Sequence, residues 1–333
     1  MALEIASARA YAQDLRAIPE QAEVTRTRLL PAIDAILALL AGHRAAIDRA
    51  MAARRAALPP GIRPEIGEPS LATYPVGFCR HIRDQVWDRA LADPAFQALL
   101  GRDVILKKVF ILLKGRYFQN AVQLGNLYID VANDTVWTDK PKLEWQPIAE
   151  VDYTNVDDWP TFAAVARRYL HVELYPNLLF PFAFPAAPFF AIRPGGRIDL
   201  FFAQDIIFLK DVGQGMRRIL QLLSDDALMA RRLPPAYEAL VRQACSPNLH
   251  DVFPLEFAPA PPAAIRDGVV AEFIALRQQP PDRALAMVEQ YATLLADATR
   301  RLMRMNLVPP ADELARLRAT GAIPAEHPDA PES

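Results

Sequence analysis

Polar side chains with regular spacing occupy residues 114–137, which read KGRYFQNAVQLGNLYIDVANDTVW. If the segment from Gly115 onward forms a helix, these polar residues recur at three- and four-residue intervals along one side. Amides dominate that side, and they supply fixed hydrogen-bond donors and acceptors without charge. We therefore predict that the segment lines a ligand pocket. The predicted contacts are Arg116, Gln119, Asn120, Gln123, Asn126, Asp130 and Asp134.

Two residues of this segment have predicted chemical roles. Asp130 is the candidate acid or base, because burial among apolar neighbours raises the pKa of a carboxyl group. Arg116 is the candidate partner for an anionic group of the ligand. Two other interpretations fit the same residues. In one, the amides satisfy nearby backbone groups or cap turns. In the other, Gly125 ends the segment and residues 127–131 form a strand.

A second candidate ligand site is the glycine-containing stretch DVGQGMRR at residues 211–218, which follows a predicted strand and opens a predicted helix. Gly213 and Gly215 let a ligand approach the backbone, and a helix N-terminus attracts anions. Arg217 adds a charged donor. The dinucleotide fingerprint requires a further glycine where Arg218 stands, so an ordinary turn with solvated arginines is the competing interpretation.

The third candidate is a metal site. His171 and Glu173 have the His-x-acid spacing of a facial triad, and His250 is the candidate distal histidine. If all three converged, the site would suit a non-haem iron oxygenase. The competing interpretation is one partly buried histidine and one surface histidine. The sequence identifies no other cofactor.

Composition excludes several classes of protein. The chain has 333 residues, of which 52% are hydrophobic and 23% charged, which is typical of a soluble globular protein. A net charge of −2 gives no basic excess for a phosphate backbone, so we expect no nucleic-acid partner. Two cysteines, Cys79 and Cys245, and the lack of a signal-peptide pattern predict reduced thiols in the cytoplasm.

No apolar run has the length of a membrane span. The nearest, residues 178–192, contains Pro181, Pro185 and Pro188, which remove backbone hydrogen bonds that lipid cannot replace. We therefore expect that this chain is not an integral membrane protein. This segment either belongs to the core, walls an apolar pocket, or makes a peripheral contact with a membrane or partner.

Hydrophobic periodicity predicts helices at both ends of the chain and strands between them. The predicted parts are a helical region at residues 1–57, a mixed core at 58–264, C-terminal helices at 265–318 packed on that core, and a flexible tail at 319–333. This order indicates an α+β fold, and an α/β fold is the alternative.

Local signals place several elements inside the core. Strands are predicted within residues 104–113, 143–151 and 171–175, and a helix begins at the acidic cap and proline of Asp158-Trp159-Pro160. The pair Gly195-Gly196 between two apolar runs predicts a tight hairpin.

Two functions are compatible with these features. The first is a small-molecule-binding protein or biosynthetic enzyme whose pocket is built around residues 115–134. The second is a non-catalytic binding or assembly protein that uses its helical surfaces. An iron oxygenase at His171, Glu173 and His250 is a third interpretation. The sequence assigns no substrate, reaction or oligomeric state.

Overall fold

The computed structural model of this chain describes residues 13–57, 71–201, 204–245 and 255–324. Helices and two antiparallel sheets make up this part of the chain, which confirms the predicted α+β class. The chain forms two compact units, and the boundary between Asn155 and Val156 was not predicted from the sequence. We call them the N-terminal unit and the C-terminal unit. Part of the predicted tail, residues 325–333, lies outside the described residues.

The helices of the N-terminal unit supply one side of its core. A first helical segment, Pro19–Leu29, precedes helix α1, Ile33–Ala56. Helix α2 spans Cys79–Ala92 and α3 spans Pro94–Leu100. The buried residues of α1 recur at helical spacing, as the sequence predicted. They are Ile36, Leu40, Arg44, Ile47 and Met51.

The sheet of the N-terminal unit has the strand order β4-β3-β2-β1-β5, with every neighbouring pair antiparallel. The strands are β1 Leu106–Leu113, β2 Tyr117–Leu124, β3 Leu127–Asp130, β4 Glu144–Pro147 and β5 Tyr153–Asn155.

The helical placement of residues 115–134 is therefore wrong, and the alternative in which Gly125 ends the segment is correct. Strand β2 pairs with β1 along its whole length and with β3 through a turn at Gly125 and Asn126. Gly125 has a φ of +53°, a conformation that favours glycine. The residues of β2 are held as a strand because the apolar β1 on one side and β3 on the other satisfy their backbone groups.

The two faces of this sheet bury different partners. Val122, Leu124, Leu127 and Ile129 join the cluster formed with α1 and α2. The opposite face contributes a second cluster, whose buried residues are Leu15, Val109, Ile111, Ala121, Tyr128 and Ile148. Alternate side chains of β2 and β3 thus point to opposite sides, as the strand period of two requires.

The C-terminal unit contains a three-stranded antiparallel sheet in the order β6-β7-β8. The predicted helix α4, Trp159–Tyr169, begins at Asp158, whose side chain accepts a hydrogen bond from Thr161 N. The predicted hairpin is confirmed, with a tight turn at residues 193–197. The strands are β6 Glu173–Pro176, β7 Phe189–Ile192 and β8 Ile198–Phe201.

Helices make up most of the remaining C-terminal unit. The stretch at residues 211–218 does not directly follow a strand as predicted, because residues 204–210 begin helix α5. Helices are present in the C-terminal region predicted at residues 265–318. The helices are α5 Gln204–Gly213, α6 Arg217–Leu223, α7 Asp226–Met229, α8 Pro235–Ala244, α9 Pro262–Arg277, α10 Pro281–Met305 and α11 Ala311–Ala319.

Residues 178–192 pack mainly into the C-terminal unit. Phe180, Phe184 and Phe190 are buried, whereas Phe182 is exposed. Among the described residues, no single helix is long and apolar enough to cross a membrane, although one bent pair, Pro19–Leu29 with Ile33–Ala56, passes that test of length and composition.

The turn between β2 and β3 gives a direct test of the hairpin. A Cβ atom at Gly125 would lie 2.7 Å from Thr25 Oγ1 and 2.8 Å from Leu29 Cδ1. We expect Gly125→Ala to lower the free energy of unfolding by about 2–4 kcal/mol, the combined cost of backbone strain and overpacking. Urea unfolding followed by tryptophan fluorescence measures it, since Trp87, Trp137 and Trp145 lie in the N-terminal unit.

Gly115→Ala is the matched control. Gly115 has a similar φ of +57°, but an added Cβ meets no atom within 4 Å. Gly115→Ala should lower the free energy of unfolding only by the cost of backbone strain, about 1–2 kcal/mol. Equal losses in the two variants would contradict the close packing of the Gly125 turn against the first helical segment.

Candidate functional site

The amides of the predicted pocket are used to hold the backbone of residues 15–18. Gln123 accepts a hydrogen bond from Arg16 N through Oε1 and donates to Arg16 O through Nε2, at 3.3 and 2.8 Å. Asn126 accepts from Ile18 N and donates to Ile18 O, at 2.8 and 3.0 Å. Asn155 bonds the N–H and C=O of Leu15 in the same way. Each side-chain amide therefore takes the place that a neighbouring strand's peptide group would occupy.

The other predicted contacts lie apart from one another. Gln119 donates to Asp130 Oδ2 at 2.7 Å on one face of the sheet. Asn120, on the opposite face, has its Nδ2 3.4 Å from Cys79 Sγ. Arg116 is exposed in the turn between β1 and β2. The strand geometry separates these residues, so the structure does not bring the predicted set into one pocket.

Asp130 is a buried carboxyl group enclosed by protein donors. Its side chain is 2% exposed, and Oδ1 accepts from Ala132 N at 2.8 Å while Oδ2 accepts from Gln119. Burial raises the pKa of Asp130 to about 7, with the charge of Glu144 adding and the bond from Ala132 N opposing. The direction agrees with the sequence prediction. The role of Asp130 as acid or base stays a prediction, because its oxygens face protein groups here.

A buried ion pair connects Asp134 to α1. Arg44 is 1% exposed, and its Nη1 and Nη2 atoms donate to the two oxygens of Asp134 at 2.8 and 2.9 Å. Nη1 also donates to Val131 O at 2.9 Å. Burial lowers the pKa of Arg44, but the hydrogen bonds to Asp134 and Asp48 outweigh this effect and leave the pKa above its usual value. The guanidinium is therefore a permanent cation inside the unit.

Asp48 extends this pair toward the surface. Its Oδ1 accepts from Arg44 Nε at 2.8 Å and from the Tyr74 hydroxyl, and Oδ2 accepts from Lys142 Nζ at 2.6 Å. Although partial burial raises the pKa of Asp48, these hydrogen bonds lower it below the usual value. Burial and the bond to Asp48 together raise the pKa of Tyr74. Near neutral pH, Asp48 is charged and Tyr74 is neutral.

A cleft opens over this network, and we call it the Arg44 cleft. Its volume is about 290 Å³, the size of a small organic molecule. The buried ion pair forms part of its wall, and apolar side chains of α1 form another part. The lining residues are Arg44, Asp48, Met51, Ala52, Arg55, Tyr74, Pro75, Asp134, Thr138 and Lys142.

Of the described residues that line this cleft, only Asp134 was predicted from the sequence. The missed signal is Arg44, which stands four residues after Leu40 and three before Ile47, inside the apolar stripe of α1. A charged residue in a buried stripe requires a partner, and Asp48 follows at the i+4 position. The partners Tyr74, Asp134 and Lys142 are distant in sequence, so only the fold assembles them.

The predicted anion site at Gly213, Gly215 and Arg217 is filled by the protein's own carboxylate. Helix α5 ends at Gly213 and α6 begins at Arg217. Asp211 accepts hydrogen bonds from Arg218 N at 2.7 Å and Ile219 N at 2.8 Å. The first N–H groups of α6 are thus satisfied from within the chain. Arg217 is exposed.

The predicted iron ligands have other neighbours. Glu173 accepts from Arg231 Nη2 at 2.7 Å, and Arg167 lies within 4.0 Å. His171 is exposed at a φ of +51°. His250 lies outside the described residues. Within the part of the chain that the structure describes, no group of three potential metal ligands converges.

Comparisons with protein families, with curated proteins and with solved structures found no match to this chain.

Removal of the Arg44 charge tests the buried network. We expect Arg44→Met to lower the free energy of unfolding by about 3–5 kcal/mol, because Asp134 is left buried without its cation. The double variant Arg44→Met with Asp134→Leu should recover most of that loss, since no buried charge then lacks a partner. Urea unfolding monitored by tryptophan fluorescence measures both changes.

Arg26→Met is the control for this experiment. Arg26 pairs with Glu23 at the surface, where the two side chains are 70% and 72% exposed. Its loss should change the free energy of unfolding by less than about 1 kcal/mol. A cost for Arg44→Met that is no larger than this would show that the Arg44–Asp134 pair is not desolvated.

Asp130 predicts a pH dependence of stability. Burial raises the folded-state pKa of Asp130 from its usual value of 3.8 to about 7, so the folded chain binds the proton more tightly than the unfolded chain does. The tighter proton binding contributes to the free energy of unfolding. This contribution is complete below pH 3.8 and is lost as the pH rises toward 7. The wild type therefore loses stability as the pH rises, whereas Asp130→Asn does not. We expect the free energy of unfolding of Asp130→Asn, taken relative to that of wild type, to increase by about 1–4 kcal/mol from pH 4 to pH 8.

The exposed Asp139→Asn variant is the control, and urea unfolding at each pH is the measurement. The Asp139 variant should follow the wild-type pH profile. Parallel profiles for wild type and Asp130→Asn would contradict the raised pKa of Asp130.

Proposed function

We propose that this protein binds a small molecule in the Arg44 cleft. The observation that carries the proposal is a concave site of about 290 Å³ with a buried ion pair, Arg44 with Asp134, in its wall. Ligand sites combine an apolar lining with a few convergent polar groups, and this cleft has both. Its volume is at the small end for ligand pockets, so the expected ligand is small.

The charge network favours a preorganised binding site. A buried ion pair is weak support for stability, since apolar residues of similar volume often stabilise a fold as well. It does hold side chains in fixed positions, because each carboxylate oxygen of Asp48 and Asp134 accepts a hydrogen bond from a cationic group or a hydroxyl group. A site fixed in advance loses less conformational entropy when a ligand binds.

Binding is favoured over acid–base catalysis at this cleft. A general acid or base works best with a pKa near the operating pH. The pKa of Asp48 is lowered and that of Tyr74 is raised, so both groups titrate further from neutral pH than when unperturbed. An enzyme that uses Asp130 remains a separate proposal, whose test is loss of turnover in Asp130→Asn.

Assembly with a partner is the second candidate function. Val270 and Ile274 on α9 and Met287 on α10 are exposed, and Ile274 reaches 52%. Val270 and Ile274 are four residues apart on α9 and so lie on one face of it, and adjacent exposed apolar side chains are typical of protein–protein contacts. Analytical ultracentrifugation of the full chain is the discriminating measurement: a complex disrupted by Ile274→Asp but not by Ala271→Asp favours assembly, and an unchanging monomer does not.

Blocking the cleft tests the binding proposal. A fragment library screened by ligand-observed NMR should give ligands that wild type binds and Ala52→Trp does not, because the indole fills the cleft. Ala52 lines the cleft and is exposed, so the substitution leaves the core intact.

Ala53→Trp is the matched control, because Ala53 is also exposed on α1 but does not line the cleft. It should bind the same ligands as wild type, with equal melting temperatures for both variants confirming their folds. A screen that finds no ligand sensitive to Ala52→Trp would overturn the proposal.

A further inference from the structure

The acidic groups of the Arg44 cleft are already neutralised by the protein. Both oxygens of Asp134 accept from Arg44. Asp48 accepts from Arg44 and Tyr74 through Oδ1 and from Lys142 through Oδ2. A cationic ligand would therefore have to compete with bound cations for either carboxylate. Among the described lining residues, three are basic and two are acidic, which leaves one positive charge in excess.

The groups that remain available are mainly hydrogen-bond donors. Arg55 is exposed at the cleft and forms no ion pair with any described residue. The Lys142 ammonium has three N–H donors, and it donates one hydrogen bond to Asp48 Oδ2. Thr138 adds an exposed hydroxyl group. A ligand that satisfies these groups must supply acceptors, and charged acceptors make the stronger hydrogen bonds.

The remaining lining is apolar. Met51, Ala52 and Pro75 contribute aliphatic surface, and the half-buried ring of Tyr74 lies among them. An inorganic ion alone would leave this surface in contact with water. A ligand with both an oxyanion and an apolar group matches the two parts of the lining.

We infer that the Arg44 cleft takes a small organic anion, in which a carboxylate or phosphate group meets Arg55 and Lys142 and an apolar group meets Met51, Ala52 and Pro75. This inference rests on the proposed function and specifies its ligand. Because α1 ends at Ala56, next to Arg55, the carbonyl groups of its C-terminus attract cations. The experiment therefore includes a cationic probe.

Four probes with the same ring separate the possibilities: benzoate, phenyl phosphate, benzamide and benzylamine. Isothermal titration calorimetry at low salt measures their affinities for the full chain. We expect benzoate or phenyl phosphate to bind about tenfold or more tightly than neutral benzamide, with the difference decreasing as salt is added. Tighter binding of benzoate identifies the carboxylate class, and tighter binding of phenyl phosphate identifies the phosphate class.

Variants locate the binding. Arg55→Gln should weaken the preferred anion by about fivefold to tenfold, because one charge-assisted contact is lost. Arg54→Gln is the matched control: Arg54 is the preceding exposed arginine of α1, does not line the cleft, and should leave the affinity unchanged. Equal effects of the two variants would overturn the assignment of Arg55.

The outcomes also separate this inference from the proposed function. If neither anion binds more tightly than benzamide, or if benzylamine binds most tightly, the anionic ligand is overturned. Fragments sensitive to Ala52→Trp would then still support the cleft as a binding site. If the fragment screen also finds no such ligand, both the inference and the proposed function are wrong.

Discussion

The arrangement of the cleft depends on the desolvated guanidinium of Arg44. From the middle of α1 it reaches the carbonyl of Val131, immediately after β3, and the carboxylates of Asp134 and Asp48. A buried cation needs all its partners, because each missing one costs free energy that water no longer offsets. Arg44 thereby fixes the position of α1 relative to the end of β3 and the turn that follows. The shape of the cleft depends on this arrangement.

The polar spacing of residues 115–134 shows why local patterns were insufficient. Gln119 and Gln123 are four residues apart because both lie on one face of β2, where positions repeat every two residues. Asn126 and Asp130 are also four apart, across the turn and β3. Two strands joined by a short turn thus reproduce helical intervals. Pairing with β1 selects the two strands over a helix, and the sequence of the segment itself does not reveal that pairing.

Features specified by neighbouring residues were predicted well. The Asp158 cap of α4 and the hairpin between β7 and β8 depend on side chains and glycines within a few positions. The Arg44 cluster and the boundary at Asn155 depend on contacts between distant residues. One partial signal existed, a charged residue within the buried stripe of α1. It shows that Arg44 needs partners without identifying them.

The amides of Asn155, Gln123 and Asn126 give residues 15–18 an attachment of a different kind from the Arg44 network. Each bond joins a neutral amide to a backbone peptide group. Such bonds have no charge for counterions to screen and no proton to gain or lose over the physiological range. Acid and salt that weaken ion pairs elsewhere in the unit leave this attachment unchanged. The attachment of residues 15–18 is thus independent of pH and salt concentration, whereas the ion pairs of the Arg44 cleft depend on both.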